Sequence, residues 1–207
     1  VVSYLPLLLP LLLFWSCGTA DMAVKKGDKF YALGEYYDAA TQYRKAYQQT
    51  PAKDRKTRGQ RALKMADCYR RINYTAKAVS AYNNAVRYGQ ADSLTFLRLG
   101  QQQMLAGNYK AAATAFAAAA DTISAAISEM RGAGEANSAK VNEMRGYLAL
   151  AKTGMKSAEM APQWKKEGSR YTVKKENNFN SRRADFSPVL GGEEGEILFC
   201  VPSMVGG

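Results

Sequence analysis

Histidine is missing from all 207 residues. Its loss removes the commonest general base and the commonest transition-metal ligand. Cysteine is scarce: Cys17, Cys68 and Cys200 are far apart and form no CxxC pair, so the pattern argues against a zinc site or a disulfide framework. A catalytic thiol would also lack its usual basic partner. Proline occurs only 6 times, which leaves long stretches free to run as helix. No acid–base constellation is visible. The paired acids Glu193 and Glu194 fall in a Gly-rich turn and read as solvated side chains. The chain is therefore expected to be no enzyme and to carry no cofactor or metal.

What is present favours helix. Ala, Tyr, Gln, Lys and Arg are plentiful, and apolar residues make up 47% of the chain. The final forty or so residues are richer in Asn, Phe, Gly and Ser and read as extended structure. The formal charge is +11, with basic clusters at Lys53–Arg61 and Lys165–Lys175. Such clusters either bind nucleic acid or an anionic surface, or form the solvated faces of helices and linkers. No nucleic-acid motif accompanies them, so the second reading is taken and no nucleic-acid partner is expected.

A repeat organises the middle of the chain. Phe96, Leu99 and Gly100 precede Gly107-Asn-Tyr109, and Ala112, Phe116 and Ala119 follow. The step from Ala66 to Gly100 is matched by the steps from Tyr82 to Phe116, Ala78 to Ala112 and Ala85 to Ala119, so all four share one period. An earlier copy comprises Gly27, Phe30, Gly34, Tyr36, Ala39, Tyr43, Ala46 and Pro51, and its step from Gly27 to Ala66 is slightly longer. The five extra residues are assigned to a basic loop around Lys53–Gly59. The pattern resembles the tetratricopeptide (TPR) repeat in residue types and in its period of about 34 residues. Small residues (Gly27, Ala66, Gly100; Ala39, Ala78, Ala112) let paired helices approach, and Tyr43, Tyr82 and Phe116 fill the space between successive hairpins. Gly34, Asn73 and Gly107 suit turns with positive φ. A third apolar series, Val141, Met144, Leu148 and Ala151, predicts a terminal helix over Ser138–Ala151 that covers the end of the solenoid, with Arg131-Gly-Ala-Gly134 as the preceding loop. The expected fold is thus an all-α, TPR-like α-solenoid of three helical hairpins plus a capping helix, followed by a short β-prone or disordered tail. Partner proteins are expected on the concave face lined by the first helices, with Lys26, Arg70 and Gln103 as candidate contacts.

The amino terminus reads as an export signal. Leu5–Trp15 is an apolar run, interrupted by Pro6 and Pro10, that is too short to span a bilayer. Ser16-Cys17-Gly18 follows it and resembles the lipobox of bacterial lipoproteins. That resemblance implies cleavage before Cys17 and acylation of it. Phe14 and Trp15 replace the usual residues, and no Lys or Arg precedes the run, so the start is expected to be truncated or mis-set.

The tail has another texture. Tyr171-Thr-Val173 is β-prone, Asn180–Pro188 is rich in turn formers, and Glu196–Val201 is a strand candidate. Asp185-Phe-Ser-Pro188 before an apolar strand resembles the entry to a PD40/WD40-like β-propeller blade, here cut short at Gly207. The order of lipobox, TPR array and Asp-Phe-Ser-Pro is similar to that of the outer-membrane OmpA-family lipoproteins with TPR, propeller and peptidoglycan-binding domains, associated with type IX secretion. The resemblance covers roughly Cys17 to Cys200. It implies a signal peptide at 1–16, a lipidated linker at 17–22, a TPR solenoid with its capping helix at 23–160, and a linker with an incomplete first blade at 161–207. It further implies a periplasm-facing scaffold, lipid-anchored in the outer membrane and in contact with other envelope proteins. Peptidoglycan would be reached only through a domain not present in these residues. Two other readings remain open: a TPR lipoprotein assisting outer-membrane protein assembly, and a generic basic TPR adaptor in the cytoplasm, against which the signal segment argues.

Overall fold

The computed structural model describes residues 9–134, 138–168, 185–191 and 197–202. Side chains are described for 18–134 and 138–168. Seven helices and two strands occur among these residues: α1 (Leu9–Ala32), α2 (Tyr36–Gln49), α3 (Arg55–Arg71), α4 (Thr75–Arg87), α5 (Ser93–Leu105), α6 (Tyr109–Gly132), α7 (Ala139–Glu167), β1 (Asp185–Gly191) and β2 (Ile197–Pro202). They fall into two units, one ending at Lys166 and one beginning at Glu167.

The first unit is a TPR-like α-solenoid. Helices α1 and α2, α3 and α4, and α5 and α6 pair as hairpins. Each hairpin turns in the same way. The middle turn residue has positive φ: Gly34 at 80°, Asn73 at 57° and Gly107 at 74°. The N–H of the residue after it donates to a carbonyl five residues back, Glu35 to Phe30, Tyr74 to Tyr69 and Asn108 to Gln103, each at 2.9 Å. That is the Schellman closure, which satisfies a helix-end carbonyl and requires a left-handed residue. One bond pattern thus makes three copies of one turn.

The small residues of the repeat are buried where helices cross. Ala39, Ala66, Ala78 and Ala112 are fully buried, as are Ala46, Ala85 and Ala119. The aromatic partners Tyr43, Tyr82 and Phe116 are equally enclosed. A Cβ on Gly27 would lie 2.7 Å from the Tyr43 ring, and one on Gly100 would lie 2.7 Å from the ring of Phe116. Helix α6 is long and apolar enough to cross a membrane by length and composition. Its Ala112, Phe116, Ile123 and Ile127, however, are buried with Leu97 of α5 and Val141, Ala151 and Ala158 of α7, as befits a core helix.

Several boundaries differ from the sequence-based expectations. The stretch Lys53–Gly59 is not a loop beyond Asp54. The Asp54 carboxylate accepts from the Thr57 N–H at 3.1 Å and caps α3, so the extra residues lengthen that helix. Residues 17–22 belong to the continuous helix α1, with Ala20 buried, so the solenoid begins before residue 23. Pro10 lies in the first turn of α1, where its missing N–H costs no bond. The capping helix also runs past residue 160, where a linker is expected, to Glu167, through Pro162 and Trp164.

The second unit contains an antiparallel pair, β1 with β2. Here Asp185-Phe-Ser-Pro188, expected as a turn before a strand, lies within β1. The pairing register shifts between Phe186 and Val189, at the place where Pro188 cannot donate to the ladder. The expected strand at Glu196–Val201 coincides with β2. Tyr171–Val173, the turn formers before Ala184 and the pair Glu193 and Glu194 lie outside the described residues.

Candidate partner-binding groove

The first helices of the three hairpins, α1, α3 and α5, line a groove of about 320 Å³ bounded by Asp28, Tyr31, Tyr43, Leu63, Lys64, Asp67 and Arg98. Its polar groups form two linked clusters. In the first, Asp28 of α1 accepts from the Tyr43 hydroxyl at 2.7 Å and from Lys64 Nζ at 2.5 Å. Partial burial raises the Asp28 pKa, but the bonds from Lys64 and Tyr43 outweigh it and hold the group below the usual carboxylate range. Burial and the same bond push the Tyr43 phenol far up.

The second cluster centres on Asp67 of α3. Its carboxylate accepts from the Tyr31 hydroxyl of α1 at 2.6 Å, from Arg70 Nη2 at 2.7 Å and from Arg71 Nε at 2.9 Å. Arg98 of α5 approaches to 3.6 Å. Burial alone would favour protonation, yet the bonds from Tyr31, Arg70 and Arg71 overcome it and leave Asp67 ionised well below its ordinary range. Arg71 also lies 5.3 Å over Tyr31 and 4.9 Å over Tyr36. One carboxylate thereby ties three first helices together. Lys64 and Arg98 face Asp28 and Asp67 within the groove lining, which is thus charge-balanced, while Arg70 and Arg71 bind Asp67 from outside that lining.

The candidate contacts fall in three different places. Arg70 belongs to the Asp67 cluster. Gln103 is buried, and its Oε1 accepts from Asn108 Nδ2 at 2.8 Å, so it supports a turn and presents nothing to a partner. Lys26 lies on the outer side of α1, with its Nζ 5.7 Å over the Phe30 ring, and does not line the groove. A period of 3.6 residues places Lys26 and Asp28 about 200° apart on one helix, which explains the separation.

The groove residues have a signal in the repeat itself. Asp28 and Asp67 occupy one repeat position, directly after the small residue. Lys64 and Arg98 occupy another, two residues before it. In the structure each of those cations reaches back to the carboxylate of the preceding hairpin. Their pairing is thus a repeat-to-repeat latch.

The basic cluster Lys53–Arg61 is largely structural. Arg61 is buried and donates to the Ala46 carbonyl at 3.0 Å, to Thr50 Oγ1 and to Asp21 Oδ1 at 2.7 Å. Arg58 donates to the Thr50 carbonyl at 2.8 Å and sits 4.3 Å over the Tyr47 ring. Arg55 donates to the Arg87 carbonyl at 2.7 Å. These cations occupy helix C-termini, where charge and donors are both favourable. Among the described residues no group of His, Cys, Asp and Glu is placed to hold a metal ion.

Comparison with solved structures places the fold. A type III secretion (T3SS) complex from Aeromonas hydrophila superposes with a TM-score of 0.52 at 13% identity, covering 74% of this chain and 89% of that one. The Sgt2 TPR domain from Aspergillus fumigatus gives 0.47 at 17% identity over 79% and 91% of the two chains. The first TPR of Spaghetti (RPAP3), bound to the HSP90 peptide SRMEEVD, gives 0.47 at 17% over 72% and 96%. The sequence matches no protein-family model and no curated protein.

Proposed function

We propose that this chain is a protein–protein interaction scaffold of the bacterial cell envelope that holds an extended, acidic segment of a partner protein in the groove across α1, α3 and α5. The observation that carries this reading is that both groove carboxylates are already satisfied, Asp28 by Tyr43 and Lys64 and Asp67 by Tyr31, Arg70 and Arg71, while the groove cations Lys64 and Arg98 stay partly exposed. Leu63 and the Tyr31 ring supply apolar contact in the same groove. Lys64 and Arg98 keep 44% and 41% of their side-chain surface open, enough to turn toward a bound anion. Rigid helices, buried tyrosines and turn-locked hairpins preorganise the surface, which lowers the ordering cost of binding.

The test is anisotropy of a fluorescein-labelled Glu/Leu-rich peptide and of its Lys/Leu-rich counterpart. The acidic peptide should bind with an affinity that falls with salt. Lys64→Glu with Arg98→Glu should weaken it at least tenfold, the scale of losing one or two charge-assisted bonds. Equal binding of both peptides, or of wild type and variant with unchanged circular dichroism, would remove the groove from consideration.

The sequence supports the envelope part of the reading through the lipobox-like Ser16-Cys17-Gly18. On that reading Cys17 carries acyl chains, the protein is anchored in the outer membrane facing the periplasm, and it serves a type IX secretion complex. Its peptidoglycan attachment and a complete β-propeller would be supplied by sequence beyond these residues. Intact mass of membrane-extracted protein, with peptide mapping around Cys17, decides this. A diacylated or triacylated Cys17 supports the anchor, and an unmodified Cys17 within an uncleaved soluble chain rejects it.

A further inference from the structure

The outer face of α1 differs from every other first-helix surface. Met22, Lys25, Lys26, Lys29, Phe30 and Leu33 recur at helical spacing and line one open concavity of about 520 Å³. Met22 and Leu33 are 63% and 72% exposed. The repeat shows what this face would ordinarily do. The residues matching Lys26 in the second and third copies are Met65 and Leu99, and those matching Lys29 are Cys68 and Gln102. All four are buried. Lys25 matches Lys64 and Arg98, each of which reaches back to a carboxylate of the preceding hairpin.

On α1 the same positions carry lysine in a row. The acids of this helix are used elsewhere: Asp21 binds Arg61 and Asp28 binds Tyr43 and Lys64. Charge is thereby sorted, with the carboxylates turned toward α2 and α3 and the ammonium groups turned outward. Another helical hairpin stacked on this face would bury Lys26 and Lys29 where its sister copies bury Met65 and Cys68, at the heavy cost of an unpaired buried charge. A surface that accepts apolar tips while keeping ammonium groups at an anionic, hydrated boundary meets no such penalty. That is the chemistry of a lipid headgroup layer.

We propose that this face of α1 rests on an anionic membrane surface, with Met22 and Leu33 entering the interface beside the half-buried Phe30 ring and Lys25, Lys26 and Lys29 meeting lipid phosphates. Position along the chain agrees. The face begins five residues after Cys17, about 7.5 Å along a helix, and the apolar run Leu5–Trp15 lies just before that. The proposal extends the anchored reading given above, but it concerns a different contact. The anchor holds the chain near a bilayer, and this face sets how the solenoid sits on it. With α1 against the lipid, the groove on its other side stays open to partners.

The experiment uses the full chain with vesicles of phosphatidylcholine alone or of phosphatidylcholine and phosphatidylglycerol in equal parts. Flotation on phosphatidylcholine reports the amino-terminal anchor by itself. Lysine acetylation, mapped by mass spectrometry on the bound protein, reports the face. With phosphatidylglycerol, labelling of Lys25, Lys26 and Lys29 should fall several-fold, while Lys110 and Lys140 on other helices should not change. Replacing the three lysines by Gln should lower the phosphatidylglycerol-dependent part of binding about tenfold or more. Met22→Ser with Leu33→Ser should lower it too, with the helical spectrum intact. Equal labelling on both vesicle types overturns the proposal even where flotation succeeds. Protection that grows with protein concentration in the absence of vesicles also overturns it, because a second copy would then cover the face. Failure to float on phosphatidylcholine alone, with flotation and lysine protection retained on vesicles containing phosphatidylglycerol, would instead reject the anchor alone.

Discussion

The ring of Phe116 is held between two glycines. A Cβ on Gly100 of α5 would lie 2.7 Å from it, and so would a Cβ on Gly154 of α7. The capping helix therefore docks by offering the ring a second bare backbone, as the first helix of a further repeat would. Gly154→Ala tests this directly, because α7 supplies its own control: a Cβ on Gly146 would meet nothing within 4 Å. Each substitution gains about 0.8–1 kcal/mol of helix propensity. Only Gly154→Ala must also push a methyl into the ring, and the ring cannot retreat because Gly100 closes the other side. Overpacking of this kind costs about 1–3 kcal/mol. Gly146→Ala should thus stabilise by about 1 kcal/mol, and Gly154→Ala should destabilise by about 1 kcal/mol. At roughly 2–4 °C per kcal/mol for a chain of this size, the two melting temperatures should differ by about 4–8 °C. Thermal and urea unfolding followed by circular dichroism would measure it. Phe116→Leu should remove most of the Gly154→Ala penalty in a double-mutant cycle. Equal effects of the two alanines would refute the wedge, as would a penalty unchanged by Phe116→Leu.

Other perturbations test the polar framework. Asp67→Asn removes the charge shared by Tyr31, Arg70, Arg71 and Arg98 and should cost about 2 kcal/mol in urea unfolding, as expected for a largely buried, charge-assisted cluster. Asp28 and Asp67 are both held below their ordinary pKa of 3.8, so their contribution is complete above that value and is lost as pH falls through the folded-state range. Acid titration of wild type should accordingly show a steeper loss of stability below about pH 4 than titration of Asp67→Asn, and parallel curves would contradict this. Tyr43→Phe should cost about 1 kcal/mol in urea unfolding through its bond to Asp28. Burial, helped by the neighbouring Asp67 charge, pushes the Cys68 thiol up to about 12, so iodoacetamide should modify it only after unfolding.

The repeat was legible because its physics is local. A Schellman turn needs a left-handed residue, so Gly34, Asn73 and Gly107 stand out at matching places in the three copies. Close helix crossing needs a missing side chain opposite an aromatic, so Gly27 with Tyr43 and Gly100 with Phe116 recur at one and the same spacing. These constraints act within one hairpin and leave a period in the sequence. The length of α3 was less legible, since the cap at Asp54 looks like any acid in a basic loop until its bond to the Thr57 N–H is seen.

What only the tertiary structure decided is which face each charge takes. Lys26 and Asp28 are two residues apart, yet one faces outward and the other joins a cluster with residues of α2 and α3. Gln103 looks like a surface glutamine and is buried in α5, where it accepts from the turn residue Asn108. Arg61 and Arg58 look like a solvated basic run and instead hold the end of α2. A side chain's partner is set by which helix packs beside it, at separations of 15 to 40 residues for bonds such as Arg61 to Ala46 and Arg61 to Asp21. Hydrophobic period determines that helices form and where they turn. Charge pairing depends on distances between helices, and those exist only once the helices have stacked.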